Sequence, residues 1–108
     1  MSARTIQVDE RLHKWLLQNS HRDTEAHRHL REVTLVLEDG AMQTSPEQTQ
    51  FLFFLARSLN ATRAIEVGVY TGASAMAIAS ALPHEGRLVA CDISDEHLAT
   101  ATSAWKTA

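Results

Sequence analysis

The chain has 108 residues, a mass of 12.0 kDa and a formal net charge of −3, which bounds it to one small domain. With 44% apolar and 21% charged residues it reads as a globular protein, and its charge balance excludes a basic nucleic-acid footprint or a polybasic membrane contact. The single cysteine, Cys91, excludes an internal disulfide framework and any paired-cysteine metal site, and no apolar run reaches the ~18 residues of a membrane span.

Leu12, Trp15 and Leu16, with Val8 before them, predict a short amphipathic helix over roughly 8–18. Ala26, Leu30, Val33 and Leu37 share one stripe of a second helix from Thr24 to Leu37. Gly40 is suited to the left-handed position after that helix. Ser45-Pro46-Glu47-Gln48 reads as a capping box with proline at the first helical position. It starts a third helix ending near Asn60, with Phe51, Leu52, Leu55 and Leu59 as its expected buried stripe.

The second half changes pattern to strand, helix, strand, helix. Residues 63–67 and 87–92 read as short buried strands, and Cys91 is expected to be buried in the second. An alanine-rich helix lies between them, from Ala73 to Leu82, stopped by Pro83. Ser94 is the expected cap of a last helix, with Asp95 and Glu96 in its first turn. A strand–helix–strand unit of this length implies a parallel pair. Two parallel strands are few for an open sheet, and parallel sheets are normally covered on both faces. The chain therefore reads as the front half of a larger α/β domain, or as one that completes its sheet with another copy.

The chemistry concentrates at the ends of the two strands. Glu66 closes the first strand, and Gly68 to Gly72 form a turn that leads into a helix start. Glycine there lets backbone approach a ligand. A carboxylate beside the turn repels a pyrophosphate and suits an amine-bearing ligand. Tyr70 stands where the dinucleotide fingerprint has its second glycine, which argues against NAD or FAD. Asp92 ends the second strand, 20 residues after Gly72, where an acid typically accepts ribose hydroxyls. Plainer readings stand beside these. Glu66 could pair with Arg63 or Arg87, Ser74 could cap the helix, Met42 could fill a core gap, and Thr44 could serve a turn. Of the six histidines, His27 and His29 point to different sides of a helix, and no histidine metal site is read.

The segment Glu66-Val-Gly-Val-Tyr-Thr-Gly-Ala-Ser74, followed by Cys91-Asp92-Ile93, resembles the first motif and second-strand acid of class I S-adenosylmethionine-dependent methyltransferases. More narrowly it is similar to the caffeoyl-CoA and catechol O-methyltransferase-like group. That group carries E-[IV]-G-[VT]-[FY]-T-G-Y-S after an M-x-[TI]-S-x-[DE]-x-x-x-[FL]-L stretch. Here the stretch is Met42-Gln-Thr44-Ser45-Pro-Glu47-Gln-Thr-Gln-Phe51-Leu52, and Leu82-Pro83 and Gly86-Arg87 also fit. Ala73 replaces the group's aromatic.

The resemblance covers residues 30–108 best. It implies an α/β, Rossmann-like methyltransferase fold, present as an N-terminal helical segment (1–45) and the first half of the cofactor-binding domain (46–108). It implies S-adenosylmethionine as cofactor. Glu66, Gly68 and Ser74 would hold the methionine end, Met42 and Thr44 would close over it, and Val69 and Tyr70 would line the turn. Asp92 would take the ribose hydroxyls, and Ile93 would lie beside adenine. The function implied is methyl transfer to a catechol-like hydroxyl of a small phenolic substrate, in a cytoplasmic homodimer.

In this group a divalent cation assists, held by two Asp and an Asn that would fall beyond residue 108. No catalytic or metal-binding residue is therefore assigned in this chain, and methyl transfer by the chain alone is not expected. The alternative reading is a non-catalytic fold fragment or oligomerising interaction module.

Overall fold

The computed structural model describes residues 6–108; the first five residues of the helical segment 1–45 lie outside them. The elements in chain order are α1 (Glu10–Asn19), α2 (Glu25–Leu35), a 3-10 turn (Gly40–Met42), α3 (Pro46–Ser58), β1 (Arg63–Val67), α4 (Ala73–Ala81), β2 (Arg87–Cys91) and α5 (Leu98–Thr107).

Local chemistry sets most boundaries. The Asp9 carboxylate accepts the Leu12 N–H at 2.8 Å to start α1. The Thr24 hydroxyl accepts the His27 N–H at 3.2 Å to start α2. Such caps satisfy amides that the helix itself leaves unpaired. Pro46 opens α3, but the Ser45 hydroxyl caps no helix amide, so the expected capping box is absent. Its Glu47 carboxylate instead meets His13 at 3.1 Å and links α3 to α1.

Gly40 also departs from expectation. Only Gly68 and Gly72 among the described glycines have positive φ, whereas Gly40 opens the 3-10 turn and is buried. A Cβ there would come within 2.6 Å of the Thr34 carbonyl oxygen, so close approach rather than dihedral freedom requires glycine.

The two strands are parallel, in register from Arg63 opposite Arg87 to Val67 opposite Cys91. They are not buried strands. Ala64, Glu66, Leu88 and Ala90 are half-buried on one face, while Ile65, Val67, Val89 and Cys91 are exposed on the other. Alternation with period two places Cys91 on the uncovered face, because α4 packs against one side only.

Helix α4 buries Ala75, Met76, Ala77 and Ala81 and packs most extensively with α3. The stripe expected for α3 is rotated. Thr49 and Ala56 are buried and Leu52 and Phe53 half-buried, at i, i+3, i+4, i+7 spacing. Small residues at both ends of that stripe let α3 close onto the alanine helix. Phe51, Leu55 and Leu59 face outward, as does Phe54. A buried apolar cluster joins α2, α4 and α5 through Leu30, Met76 and Ala104.

Candidate functional site

The parallel register brings the carboxyl ends of both strands side by side, and the Gly68 N–H donates to the Cys91 carbonyl at 2.8 Å. The turn after β1 and the segment after β2 therefore face a common space. This is the crevice where open α/β sheets take ligands. Between them lies a cleft of about 530 Å³, walled also by the segment after α2.

Eight of the nine residues singled out from sequence line this cleft: Met42, Thr44, Gly68, Val69, Tyr70, Ser74, Asp92 and Ile93. Glu66 does not. It stands behind the wall, where Ser74 hydrogen-bonds its carboxylate and its Oε2 is buried with no partner. Burial raises its carboxyl above the ordinary range, against the lowering effect of Ser74. No ion pair forms to Arg63 or Arg87. Ser74 is not the cap of α4; that position is Gly72, at φ 87°, and no side chain caps the helix.

Asp92 organises the floor. Its Oδ2 accepts the Val69 N–H at 2.7 Å and the Tyr70 N–H at 3.1 Å, and its Oδ1 accepts the Ser94 N–H at 3.0 Å. These amides, Val69 foremost, pull its pKa down to about 2. The carboxylate is exposed, and Oδ1, with one amide partner, keeps lone-pair capacity for a hydroxyl. A second cleft of about 530 Å³ adjoins on its far side, reaching Ala90, Leu98 and Trp105. Ser94 does not cap the last helix. Its hydroxyl accepts the Glu96 N–H at 3.2 Å in a local turn, and α5 starts later, with His97 at its cap.

The glycine turn is clamped from behind. The Trp105 indole N–H donates to the Gly72 carbonyl at 2.9 Å. The Thr71 hydroxyl is buried 3.0 Å from that of Thr34 on α2. Tyr70 adopts the left-handed conformation, φ 51°, which costs a non-glycine residue about 1–2 kcal/mol.

Sequence reasoning missed Asp39 and His97, which also line the cleft. The Tyr70 hydroxyl donates to Asp39 Oδ1 at 2.7 Å, and His97 Nε2 lies 3.2 Å from Asp39 Oδ2. The Tyr70 and His97 rings meet edge to face at 4.7 Å between centroids. Burial first, then the Asp39 carboxylate, pushes the Tyr70 phenol up to about 12. The Tyr70 hydrogen bond in turn lowers Asp39. No local pattern announces this cluster, since its members are 31 and 58 positions apart.

The arrangement offers an exposed carboxylate, a glycine with open space, an uncapped helix start and a buried, unpartnered carboxylate oxygen. A Cβ at Gly68 would meet nothing within 4 Å, so the backbone there is open to a ligand. These features fit a nucleoside that carries an amine and a carboxylate in place of a pyrophosphate. Among the described residues no group of three or more His, Cys, Asp or Glu could hold a metal ion. None of the described helices is long and apolar enough to cross a membrane.

Comparison with known proteins gives the same direction. The model of the O-methyltransferase family matches residues 17–108. A mouse (Mus musculus) catechol O-methyltransferase domain-containing protein 1 is 40% identical over 100 residues, which are 93% of this chain and 38% of the relative. A caffeoyl-CoA O-methyltransferase of Petroselinum crispum is 38% identical over 96 residues, 87% of this chain and 40% of the relative. Among solved structures, the O-methyltransferase TomG of Streptomyces achromogenes, involved in tomaymycin synthesis and solved in complex with SAM, superposes with a TM-score of 0.76 at 27% identity. That match covers 87% of this chain and 42% of TomG. The chain thus spans about two fifths of the length of the relatives it matches.

Proposed function

Because this chain belongs to the O-methyltransferase family and has its Rossmann-like fold, we propose that its cleft binds S-adenosylmethionine and serves methyl transfer to a catechol-like hydroxyl. The observation that carries the reading is the exposed Asp92 carboxylate, held by three backbone amides at the mouth of a glycine turn. When bound, the cofactor supplies a methyl group on a positively charged sulfur. The chain's residues bind and orient it. Asp92 accepts the ribose hydroxyls, and Ile93 offers apolar surface to the adenine. Gly68 and the start of α4 admit the amino-acid end, with Ser74 on the wall and the Glu66 charge behind it. Met42 and Thr44 cover the opposite side.

The known relatives' names support a phenolic acceptor: one is called a caffeoyl-CoA O-methyltransferase. The described residues offer no ligand set for a metal ion. We expect cofactor binding, and no methyl transfer, from the 108-residue chain by itself.

Calorimetric titration with S-adenosylhomocysteine tests the reading. Wild type should bind, and Asp92→Ala should weaken binding about 10–100-fold, the loss of a charged hydrogen-bonding partner. Equal affinity in both would refute Asp92 as the ribose acceptor. Absence of binding in both would refute the cofactor cleft.

One observation favours a second reading, an interaction module that covers its apolar faces with another copy. Ile65, Val67 and Val89 are exposed on the sheet, and Phe51 and Phe54 on α3. Sedimentation equilibrium distinguishes it: a monomer at all concentrations excludes this role.

A further inference from the structure

Three segments far apart in the chain reach the cleft and meet at one carboxylate. Asp39 accepts the phenol proton of Tyr70 on one oxygen and faces His97 Nε2 with the other. Its backbone carbonyl accepts the Met42 N–H at 2.8 Å, which sets the 3-10 turn leading to Thr44. The Asp39 side chain thus fixes where the Tyr70 ring lies from the start of the turn that carries Met42. Tyr70 needs such restraint, because its left-handed backbone is intrinsically unfavourable. Its amide is tethered to Asp92 and its hydroxyl to Asp39, so the strained residue is held at both ends. His97 closes the third side by packing on the same ring.

We infer that Asp39, supported by His97, is a positioning residue for the cofactor cleft, tying the segment after α2 to the glycine turn so that the cleft is shaped before ligand arrives. The inference rests on the cofactor reading above. Preorganisation of this kind raises affinity by removing an ordering cost that binding would otherwise carry. Asp39 touches no reacting atom; it acts through Tyr70 and Met42.

The test uses the full chain with S-adenosylhomocysteine as probe, and amide hydrogen exchange of the ligand-free protein. Asp39→Ala should weaken binding about tenfold, the typical cost of a lost hydrogen bond to a charged group. Asp39→Asn should recover most of that loss, because its amide oxygen still accepts the phenol proton. Tyr70→Phe should weaken binding alone but add little to Asp39→Ala, since both remove one contact. In the ligand-free protein, Asp39→Ala should speed exchange at the Met42 and Tyr70 amides, while protection within α4 stays unchanged. Exchange at both amides equal to wild type overturns the inference. So does wild-type affinity in Asp39→Ala, or strict additivity of the two substitutions. If wild type itself does not bind the probe, the cofactor reading fails, and the exchange result still decides whether Asp39 orders the cleft. A loss of α4 protection in Asp39→Ala, not rescued by Asp39→Asn, would mark the residue as a general fold determinant and also overturn it.

Discussion

Gly68 and Gly72 share φ 87° but differ in surroundings, and that pair separates backbone strain from packing. A Cβ on Gly72 would lie 2.7 Å from Trp105 Nε1, 2.8 Å from its Cζ2 and 2.9 Å from the Ala101 Cβ. A Cβ on Gly68 would meet nothing within 4 Å. Both alanine substitutions carry the left-handed penalty of about 1–2 kcal/mol, less about 0.4–1 kcal/mol for a stiffer unfolded chain. Gly72→Ala adds overpacking against a partly buried indole and a helix, about 1–3 kcal/mol. The expected losses are about 1 kcal/mol for Gly68→Ala and about 2–4 kcal/mol for Gly72→Ala. For a domain near 100 residues each kcal/mol moves Tm by about 4–8 °C, so the two variants should melt about 5–20 °C apart. Thermal and urea unfolding would measure this. Trp105→Phe deletes the two indole atoms that a new Cβ approaches, so Gly72→Ala should cost less in that background. Equal destabilisation by the two alanines, or no coupling between Gly72→Ala and Trp105→Phe, would refute the packing argument.

Two further outcomes follow from the carboxylates. Asp92 has a folded pKa near 2, below its ordinary 3.8, so its stabilisation is present above about pH 4 and lost as pH falls towards 2. Asp92→Asn should flatten the acid limb of a stability–pH curve between those values; an unchanged limb would contradict the three amide contacts. Glu66 shifts the other way. Its carboxyl is raised by burial, so the folded state favours the protonated form, and that preference is lost as pH rises through the folded pKa. Glu66→Gln should raise Tm at pH 7 and leave it little changed at pH 4. The same substitution should weaken S-adenosylhomocysteine binding, and a variant both less stable and equally tight would count against the reading of this site.

Much of the architecture is legible in short-range chemistry. The first strand runs over the residues expected and the second ends one residue early, at Cys91, because the Asp92 side chain turns back to the amides of the glycine turn. Thr24 and Pro46 mark helix starts, and Pro83 follows the end of α4 closely. Burial is harder to read. The apolar run of β2 matches a strand covered on both faces, yet only the Leu88 and Ala90 side is covered. The apolar stripe of α3 misleads because the partner helix is built of alanines. Against such a surface Thr49 and Ala56 approach more closely than Phe51 or Leu55 can. In the cleft, the residues contributed by the two strand ends were accessible to motif reasoning. Asp39 and His97 were not, because each enters by a long-range side-chain contact with no periodicity behind it. Ser94 does not cap α5 because its hydroxyl is engaged by the Glu96 N–H in a local turn and the helix starts later, at Leu98.

The Trp105 contact has an optical consequence. The chain contains two tryptophans, Trp15 with 62% of its surface exposed and Trp105 partly buried with its indole N–H on the Gly72 carbonyl. A water-borne quencher will dim Trp15 first, leaving emission dominated by an indole that touches the glycine turn itself. Any ligand that shifts that turn perturbs the hydrogen bond to the fluorophore, so occupancy can be followed by intrinsic fluorescence without a label. Trp15→Phe would isolate the signal, turning the back wall of the cleft into its own spectroscopic reporter.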